Sequence, residues 1–459
     1  MNNTTYDLII IGSGPGGYVG AIRASQLGLK SCIIEKDKAG GVCLNVGCIP
    51  TKALVERAEI FNSLSELKSM GIRTDKSELN YAKVQKKAQT ASTRLSKGIS
   101  FLLEKNKVDY IQGEARKIEP SKVTLDDGTV ITGTYILLAT GSSPRAIPGF
   151  ETDEDRVLSS TGMLAMTELP RTLTILGSGA IGIEFAYIMN SFGVKVTVVE
   201  LLPRILPLED REISEAIEAS LSKQGIKFIK GTGAERMEKK DDAVDIVLSD
   251  EEKTVLSADK VLVAIGRKPN TDRIDLSLTD ISINSRGFIE TGDYYETGEK
   301  NIFAIGDILP SAQLAHVASM EAEIAVAHIA GKVTVERIDD TEVPSAVYCE
   351  PQAASFGMKE PEEENAEITV SRFPFTGNGK AKATGHSEGL VKIVSDKEGH
   401  ILGAHIAGRN ASEMIHELLL AKKEGITLDR LAEMIHVHPS LSESIMEASK
   451  EAYDGAIHL

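Results

Sequence analysis

One pattern occurs twice in this chain, first around Gly12 and again around Gly177, and that repetition constrains the fold more than any other feature. In the first copy, residues 6–11 read as a buried strand running into Gly12-Ser13-Gly14-Pro15-Gly16-Gly17 and then into an alanine-rich helix. A second strand over 31–35 ends in Glu35, at about the spacing of ~20 residues that a ribose-binding acid keeps from such glycines. This is the signature of a βαβ unit wrapped around a dinucleotide. Gly12 makes the turn, Gly14 admits a pyrophosphate, Gly17 lets helix and strand touch, and the acid accepts hydrogen bonds from ribose hydroxyls. The helix N-terminus adds unpaired N–H groups and a positive dipole end. In the second copy the strand is 172–176 and the glycines are Gly177, Gly179 and Gly182. Glu200 stands as far beyond Gly182 as Glu35 stands beyond Gly17. A glycine motif alone is weak evidence; strand, helix and acid in register, twice, are strong evidence. Each half also closes alike, with a hairpin before 135–141 (Tyr-Ile-Leu-Leu-Ala-Thr-Gly) and before 260–266 (Lys-Val-Leu-Val-Ala-Ile-Gly). Two such units imply two nucleotides. Glu200 would repel a 2′-phosphate, which favours NAD over NADP in the second, although Arg204 follows close by.

At 459 residues the chain has room for about three domains. The net charge of −16 argues against a nucleic-acid partner. Four cysteines make no secreted disulfide scaffold. Residues 1–7 carry no basic region, and no apolar run reaches the ~20 residues of a membrane span, so a cytoplasmic protein is expected. From about residue 339 alternating strand patterns (367–373, 390–395, 401–406) and two helices read as a third, α+β domain without a glycine motif.

The first half is longer than the second between its acid and its closing glycine: Glu35 to Gly141 against Glu200 to Gly266. The surplus holds Gly40-Gly41-Val42-Cys43-Leu44-Asn45-Val46-Gly47-Cys48-Ile49-Pro50-Thr51-Lys52 and two expected helices, 52–69 and 80–105. Residues five apart on a regular helix are displaced by about 7.5 Å along its axis, beyond the ~6.8 Å that a disulfide spans between Cα atoms. A Cys43–Cys48 bridge therefore needs a distorted turn, for which Gly47 is suited. Two reduced core thiols and half of a metal site are the other readings; a second cysteine pair for zinc is missing, because Cys32 and Cys349 are isolated. Residues 301–307 (Asn-Ile-Phe-Ala-Ile-Gly-Asp) read as a strand with Asp307 at its tip, either on a cofactor hydroxyl or capping the helix expected over 313–329. His438 precedes Pro439 at a helix end, with Glu443 near enough to orient an imidazole.

These motifs occur in one order: the paired glycine units, the Cys43–Cys48 stretch, Ala-Thr-Gly, Ala-Ile-Gly-Arg, Ala-Ile-Gly-Asp and His-Val-His438-Pro-Ser-Leu-Ser-Glu443. In that order the chain resembles the pyridine nucleotide–disulfide oxidoreductases over nearly its whole length. The resemblance implies an α/β fold with two Rossmann-like domains, for FAD and NAD, plus a C-terminal α+β dimerisation domain. It implies boundaries at 1–145 (FAD, with the redox disulfide), 146–270 (NAD), 271–338 (FAD, continued) and 339–459 (interface). It assigns Gly12, Gly14, Gly17, Glu35, Lys52, Gly113, Ala115, Thr140, Gly141, Asp307 and Ala315 to FAD, and Gly177, Gly179, Gly182, Glu200 and Gly266 to NAD. Lys52 and Glu184 match an ion pair beside the flavin. Cys43 matches the thiol that exchanges with substrate, Cys48 the one that faces the flavin, and His438, oriented by Glu443, the base that serves the other subunit's disulfide. No metal is expected. The implied partners are a second copy of the chain and a lipoyl-bearing acyltransferase or H-protein that presents a dithiol. The rival readings are a sibling enzyme acting on glutathione-type disulfides with NAD(P)H, and a non-catalytic flavin-bearing subunit.

Overall fold

The computed structural model describes residues 5–363 and 365–459; residues 1–4, part of the stretch expected to carry no leader, lie outside the described residues. The chain divides into two compact units. One comprises Met1–Ala53, Lys83–Arg145 and Gly266–Ile338, the other Leu54–Ala82, Ala146–Ile265 and Asp339–Leu459.

In the first unit a parallel sheet runs in the order Asp109–Gln112, Ser31–Glu35, Thr5–Ile11, Val130–Leu138, Ile302–Ala304. The order reverses direction between Thr5–Ile11 and Val130–Leu138, which opens a crevice at the carboxyl ends of the strands. The strands read as continuous apolar runs because helices cover the faces: Leu8, Ile9, Ile10, Ile33 and Leu137 are fully buried. The hairpin strands Ala115–Glu119 and Lys122–Leu125 extend the sheet at its edge.

The second unit repeats this order with Lys227–Lys230, Lys195–Glu200, Thr172–Leu176, Lys260–Val263 and Val157–Leu158, all parallel. It also holds a five-stranded antiparallel sheet, ordered Ser345–Val347, Gln352–Gly357, Ile401–Gly408, Leu390–Asp396, Ile368–Pro374. One row of polar residues crosses all five of its strands. Arg372 pairs with Lys392, Lys392 with His405, His405 with Ser355 and Ser355 with Ser345. Acids at the start of the helix Arg211–Lys223 meet this row. Lys392, only 1% exposed, donates to Asp210 at 2.8 Å and to Glu360 at 2.6 Å. Arg372 donates to Glu212 at 2.7 Å, and Ser355 to Glu209 at 2.6 Å.

The helices expected over 52–69 and 80–105 are Cys48–Ser69 and Tyr81–Lys105. The first begins at Cys48 and not at Lys52 because Pro50 is accommodated inside the first turn, where its missing N–H costs nothing. The short helix Gly41–Val46 carries no periodic pattern long enough to be read from sequence.

Candidate functional site

The two glycine turns are built alike. Gly12 and Gly177 have φ of +100° and +99°, and a Cβ there would meet the Ala139 and Ala264 carbonyl oxygens at 2.3 and 2.6 Å. A Cβ on Gly17 would stand 1.8 Å from the Gly12 oxygen, and one on Gly182 2.0 Å from the Gly177 oxygen, so strand and helix touch only through glycine. The helices Pro15–Gln26 and Ala180–Ser191 start at Gly14 and Gly179, and no side chain caps either N-terminus. Nothing lies within 4 Å of where a Cβ on Gly14 or Gly179 would stand. Uncapped N–H groups facing an open cradle suit a pyrophosphate, so the residues present fit the two dinucleotides.

Glu35 and Glu200 are buried and held identically. Oε2 of Glu35 accepts from the Ser13 N–H at 2.8 Å and hydroxyl at 2.7 Å, and Oε1 accepts from the Asp37 N–H at 2.8 Å. Glu200 accepts from the Ser178 N–H at 2.8 Å, the Ser178 hydroxyl at 2.7 Å and the Leu202 N–H at 2.9 Å. The serines went unassigned in the sequence, although Ser recurs at the same place in both motifs and was a readable signal.

Around the first sheet's carboxyl ends, Gly113 donates its N–H to Glu35 O at 3.0 Å, and Ala115 opens the hairpin buried. The Thr140 hydroxyl donates to Asn270 O at 3.0 Å, and Asn270 returns a bond to Thr140 O at 2.9 Å. Gly141, at φ +68°, accepts from the Asn270 N–H at 2.9 Å. Gly266 accepts from the Arg145 N–H at 3.1 Å. Asp307 accepts from the Ser142 hydroxyl, which itself accepts from Arg267 Nε at 2.7 Å. Arg267 is absent from the sequence-derived set, although it stands in Ala-Ile-Gly-Arg. Burial pulls its guanidinium below the usual value, while the charges of Asp307 and Cys48 pull the other way.

A second omission is Glu321, on the helix Ala315–Ile329 that Ala315 begins. It is 1% exposed and accepts from the Gly306 N–H at 2.6 Å and the Ser311 hydroxyl at 3.2 Å, bracing the turn that presents Asp307. Burial, against those two bonds, pushes its carboxyl up to about 7.

The cysteine stretch adopts the expected distorted turn. Cys43 lies in the helix Gly41–Val46, Gly47 ends it, and Cys48 begins the next. A Cβ on Gly47 would stand 2.9 Å from Val42 O and 3.2 Å from Cys43 Cα, so only glycine permits the approach. The turn brings the two cysteine side chains together. The hydrogen bond between their side chains, then burial, pushes the Cys43 thiol far up, while the Lys52 charge pulls it down. Lys52 stands one turn after Cys48 on the same helix face.

In the second unit the Glu184 carboxylate is buried and accepts from the Tyr348 N–H at 3.1 Å. Lys52 and Glu184 belong to different units. The His438 side chain is 78% exposed and its Nδ1 is 2.9 Å from Glu443 Oε1. A carboxylate can only accept, so Nδ1 carries the hydrogen and Nε2 is left as the basic atom. Burial alone would raise the Glu443 carboxyl, but the Ser440 N–H at 2.7 Å and His438 outweigh it and hold it low. Cys32 and Cys349 are fully buried core thiols. No group of three or more His, Cys, Asp or Glu among the described residues could hold a metal ion. No helix of the described residues is long and apolar enough to cross a membrane.

Comparisons with known proteins bear on this arrangement. Residues 6–322 match the family described as Pyridine nucleotide-disulphide oxidoreductase, and residues 343–449 match its dimerisation domain. The chain is 43% identical to a dihydrolipoyl dehydrogenase of Bacillus subtilis, covering 99% of both chains. It is 39% identical to a mitochondrial dihydrolipoyl dehydrogenase of Pisum sativum, covering 99% of this chain and 92% of that one. Among solved structures, LpdA from Mycobacterium tuberculosis superposes with a TM-score of 0.90 at 27% identity, covering 98% of this chain and 99% of that one.

Proposed function

This chain belongs to the pyridine nucleotide–disulphide oxidoreductases, and from that premise we propose that it oxidises protein-borne dihydrolipoyl groups with NAD+, as a dihydrolipoyl dehydrogenase. The observation that carries the reading is the Cys43–Gly47–Cys48 turn. It holds two cysteine side chains within hydrogen-bond reach of each other beside Lys52, in the same unit as the first nucleotide turn. Full-length identity of 43% with a dihydrolipoyl dehydrogenase supports the substrate class.

On this reading residues 1–145 and 271–338 bind FAD, residues 146–270 bind NAD and residues 339–459 form the interface of a homodimer. The partner is a lipoyl-bearing acyltransferase or H-protein, and the location is cytoplasmic. Gly12, Gly14, Gly17, Glu35, Gly113, Ala115, Thr140, Gly141, Asp307 and Ala315 hold FAD. Gly177, Gly179, Gly182, Glu200 and Gly266 hold NAD. Bound FAD supplies two-electron transfer between the cysteine pair and NAD+.

The residues of the chain do the rest. In the oxidised enzyme Cys43 and Cys48 form a disulfide. Nε2 of His438, from the second subunit, takes a proton from a substrate thiol, because the thiolate is the nucleophile. The exposure of the ring supports service to another chain. The substrate thiolate attacks Cys43 Sγ, and Cys48 leaves as a thiolate that Lys52 stabilises by its charge. The second substrate thiol passes its proton to the departing Cys43 Sγ as it displaces Cys43 and closes the lipoyl disulfide, which leaves the cysteine pair reduced.

Steady-state rates decide between this reaction and its sibling. Dihydrolipoamide with NAD+ is expected to turn over, and glutathione disulfide with NADPH to be inert. Turnover of the second pair alone would overturn the proposal.

A further inference from the structure

The helix Tyr81–Lys105 has a role that the nucleotide and thiol chemistry leaves unexplained. Its 25 residues carry Lys83, Lys86, Lys87, Arg94, Lys97 and Lys105 against one acid, Glu104, in a chain whose net charge is −16. All six cations are exposed. At about 100° per residue they fall within an arc of about 100°, on the side opposite the buried Ala88, Ser92, Ile99 and Leu103. The stripe is about 33 Å long. Lys86, Lys87, Arg94 and Lys97 take part in no ion pair among the described residues. Like charges one turn apart, as at Arg94 and Lys97, destabilise a helix by ~0.2–0.5 kcal/mol per pair, and no ion pair among the described residues offsets that cost at Lys86, Lys87, Arg94 or Lys97.

Its position ties it to the thiols. Ser96, between Arg94 and Lys97, donates its hydroxyl to Ala39 O at 2.7 Å, and Asn45 Nδ2 donates to the same oxygen at 3.1 Å. The middle of the cationic helix is thereby fastened to the loop that enters the redox turn, just ahead of Cys43. Both elements belong to the same unit.

We infer that this cationic stripe docks an acidic face of the protein that carries the dithiol and so guides that dithiol to Cys43. The inference rests on the dihydrolipoyl reading above. A protein at −16 repels an acidic partner at long range, and a row of cations on the helix fastened to the loop ahead of Cys43 reverses the local field and steers the encounter. The same net charge disfavours a nucleic acid along the stripe.

The test uses the holoenzyme with two substrates: free dihydrolipoamide, which is neutral, and a recombinant lipoyl domain of acidic net charge with its lipoyl group reduced. With the wild type, kcat/KM for the domain is expected to fall roughly ten-fold between about 0.01 and 0.15 M ionic strength, and that for dihydrolipoamide to stay level. A variant combining Lys86→Gln, Lys87→Gln, Arg94→Gln and Lys97→Gln is expected to lose about ten-fold on the domain at low salt and to keep its dihydrolipoamide rate. Should the fourfold variant not fold, the pairs Lys86→Gln with Lys87→Gln and Arg94→Gln with Lys97→Gln are each expected to show a smaller loss of the same kind. Equal effects on both substrates, or none on the domain, would overturn the inference. So would a variant that loses binding only to a single-stranded oligonucleotide or to phosphatidylserine vesicles. If wild-type enzyme does not oxidise dihydrolipoamide at all, it is the underlying reaction that fails.

Discussion

Glu321 shows how one buried carboxyl makes stability depend on pH. An unfolded carboxyl titrates near 4.3, whereas burial pushes this one up to about 7. Between those values the folded chain holds a proton that the unfolded chain has lost. Stability therefore falls as pH rises through that window, and the deficit is complete above about 7, worth about 3–4 kcal/mol. Glu321→Gln keeps an acceptor for the Gly306 N–H and removes the charge. Its melting temperature is expected to exceed that of the wild type at pH 8 and to match it near pH 4. Equal shifts at both pH values would contradict this account. The residue was invisible to sequence reasoning because a single Glu inside Ser-Met-Glu-Ala-Glu reads as a solvated helix face; only the turn at Gly306 gives it a partner. Arg267 and Ser142 escaped for a similar reason, since they are remote in the chain until the fold brings Asp307 beside both. The glycines, Glu35 and Glu200 were legible because their spacing is set within one βαβ unit.

The polar row across the antiparallel sheet belongs to the scale of elements. Arg372, Lys392, His405, Ser355 and Ser345 lie on five strands, and each alone looks like an ordinary outward residue of an alternating strand. Their shared face turns inward because the start of the helix Arg211–Lys223 supplies acids opposite them. Burial opposes ionisation at Asp210, Glu360 and Lys392, but their mutual hydrogen bonds outweigh it, holding the two carboxyls low and the ammonium high. The carboxyl contribution is present above the ordinary carboxylate range and is lost as pH falls through the depressed values. The lysine contribution is lost only as pH rises through its raised value, so these three charges are at full strength from about pH 5 to 10. Burial holds the His405 imidazole below its usual value, so that residue costs stability as pH falls below about 6.5. Lys392→Met strands a buried carboxylate and is expected to cost about 3–5 kcal/mol in urea unfolding. Adding Asp210→Asn should return part of that loss. A double variant no more stable than Lys392→Met alone would show that the pair is not the source.

At the scale of the whole molecule, two nucleotide units and a thiol pair make sense only as a relay. The duplicated glycine turns were readable because one offset relates Gly12 to Gly177 and Glu35 to Glu200, and the structure repeats them down to the serine that braces each acid. The sequence did not disclose the short helix Gly41–Val46 that carries Cys43 to the turn, because six residues hold no readable period. It also did not disclose the single-signed helix Tyr81–Lys105, because a charge total of −16 averages the stripe away. The claim that joins these parts is that reducing equivalents from a pyridine nucleotide reach Cys43 and Cys48. Anaerobic alkylation with iodoacetamide, mapped by peptide mass before and after addition of NADH to the oxidised holoenzyme, tests it most directly. The account predicts that Cys43 and Cys48 are unmodified before NADH and modified after it, with Cys32 and Cys349 protected throughout. Labelling of Cys43 and Cys48 that is the same with and without NADH would contradict it.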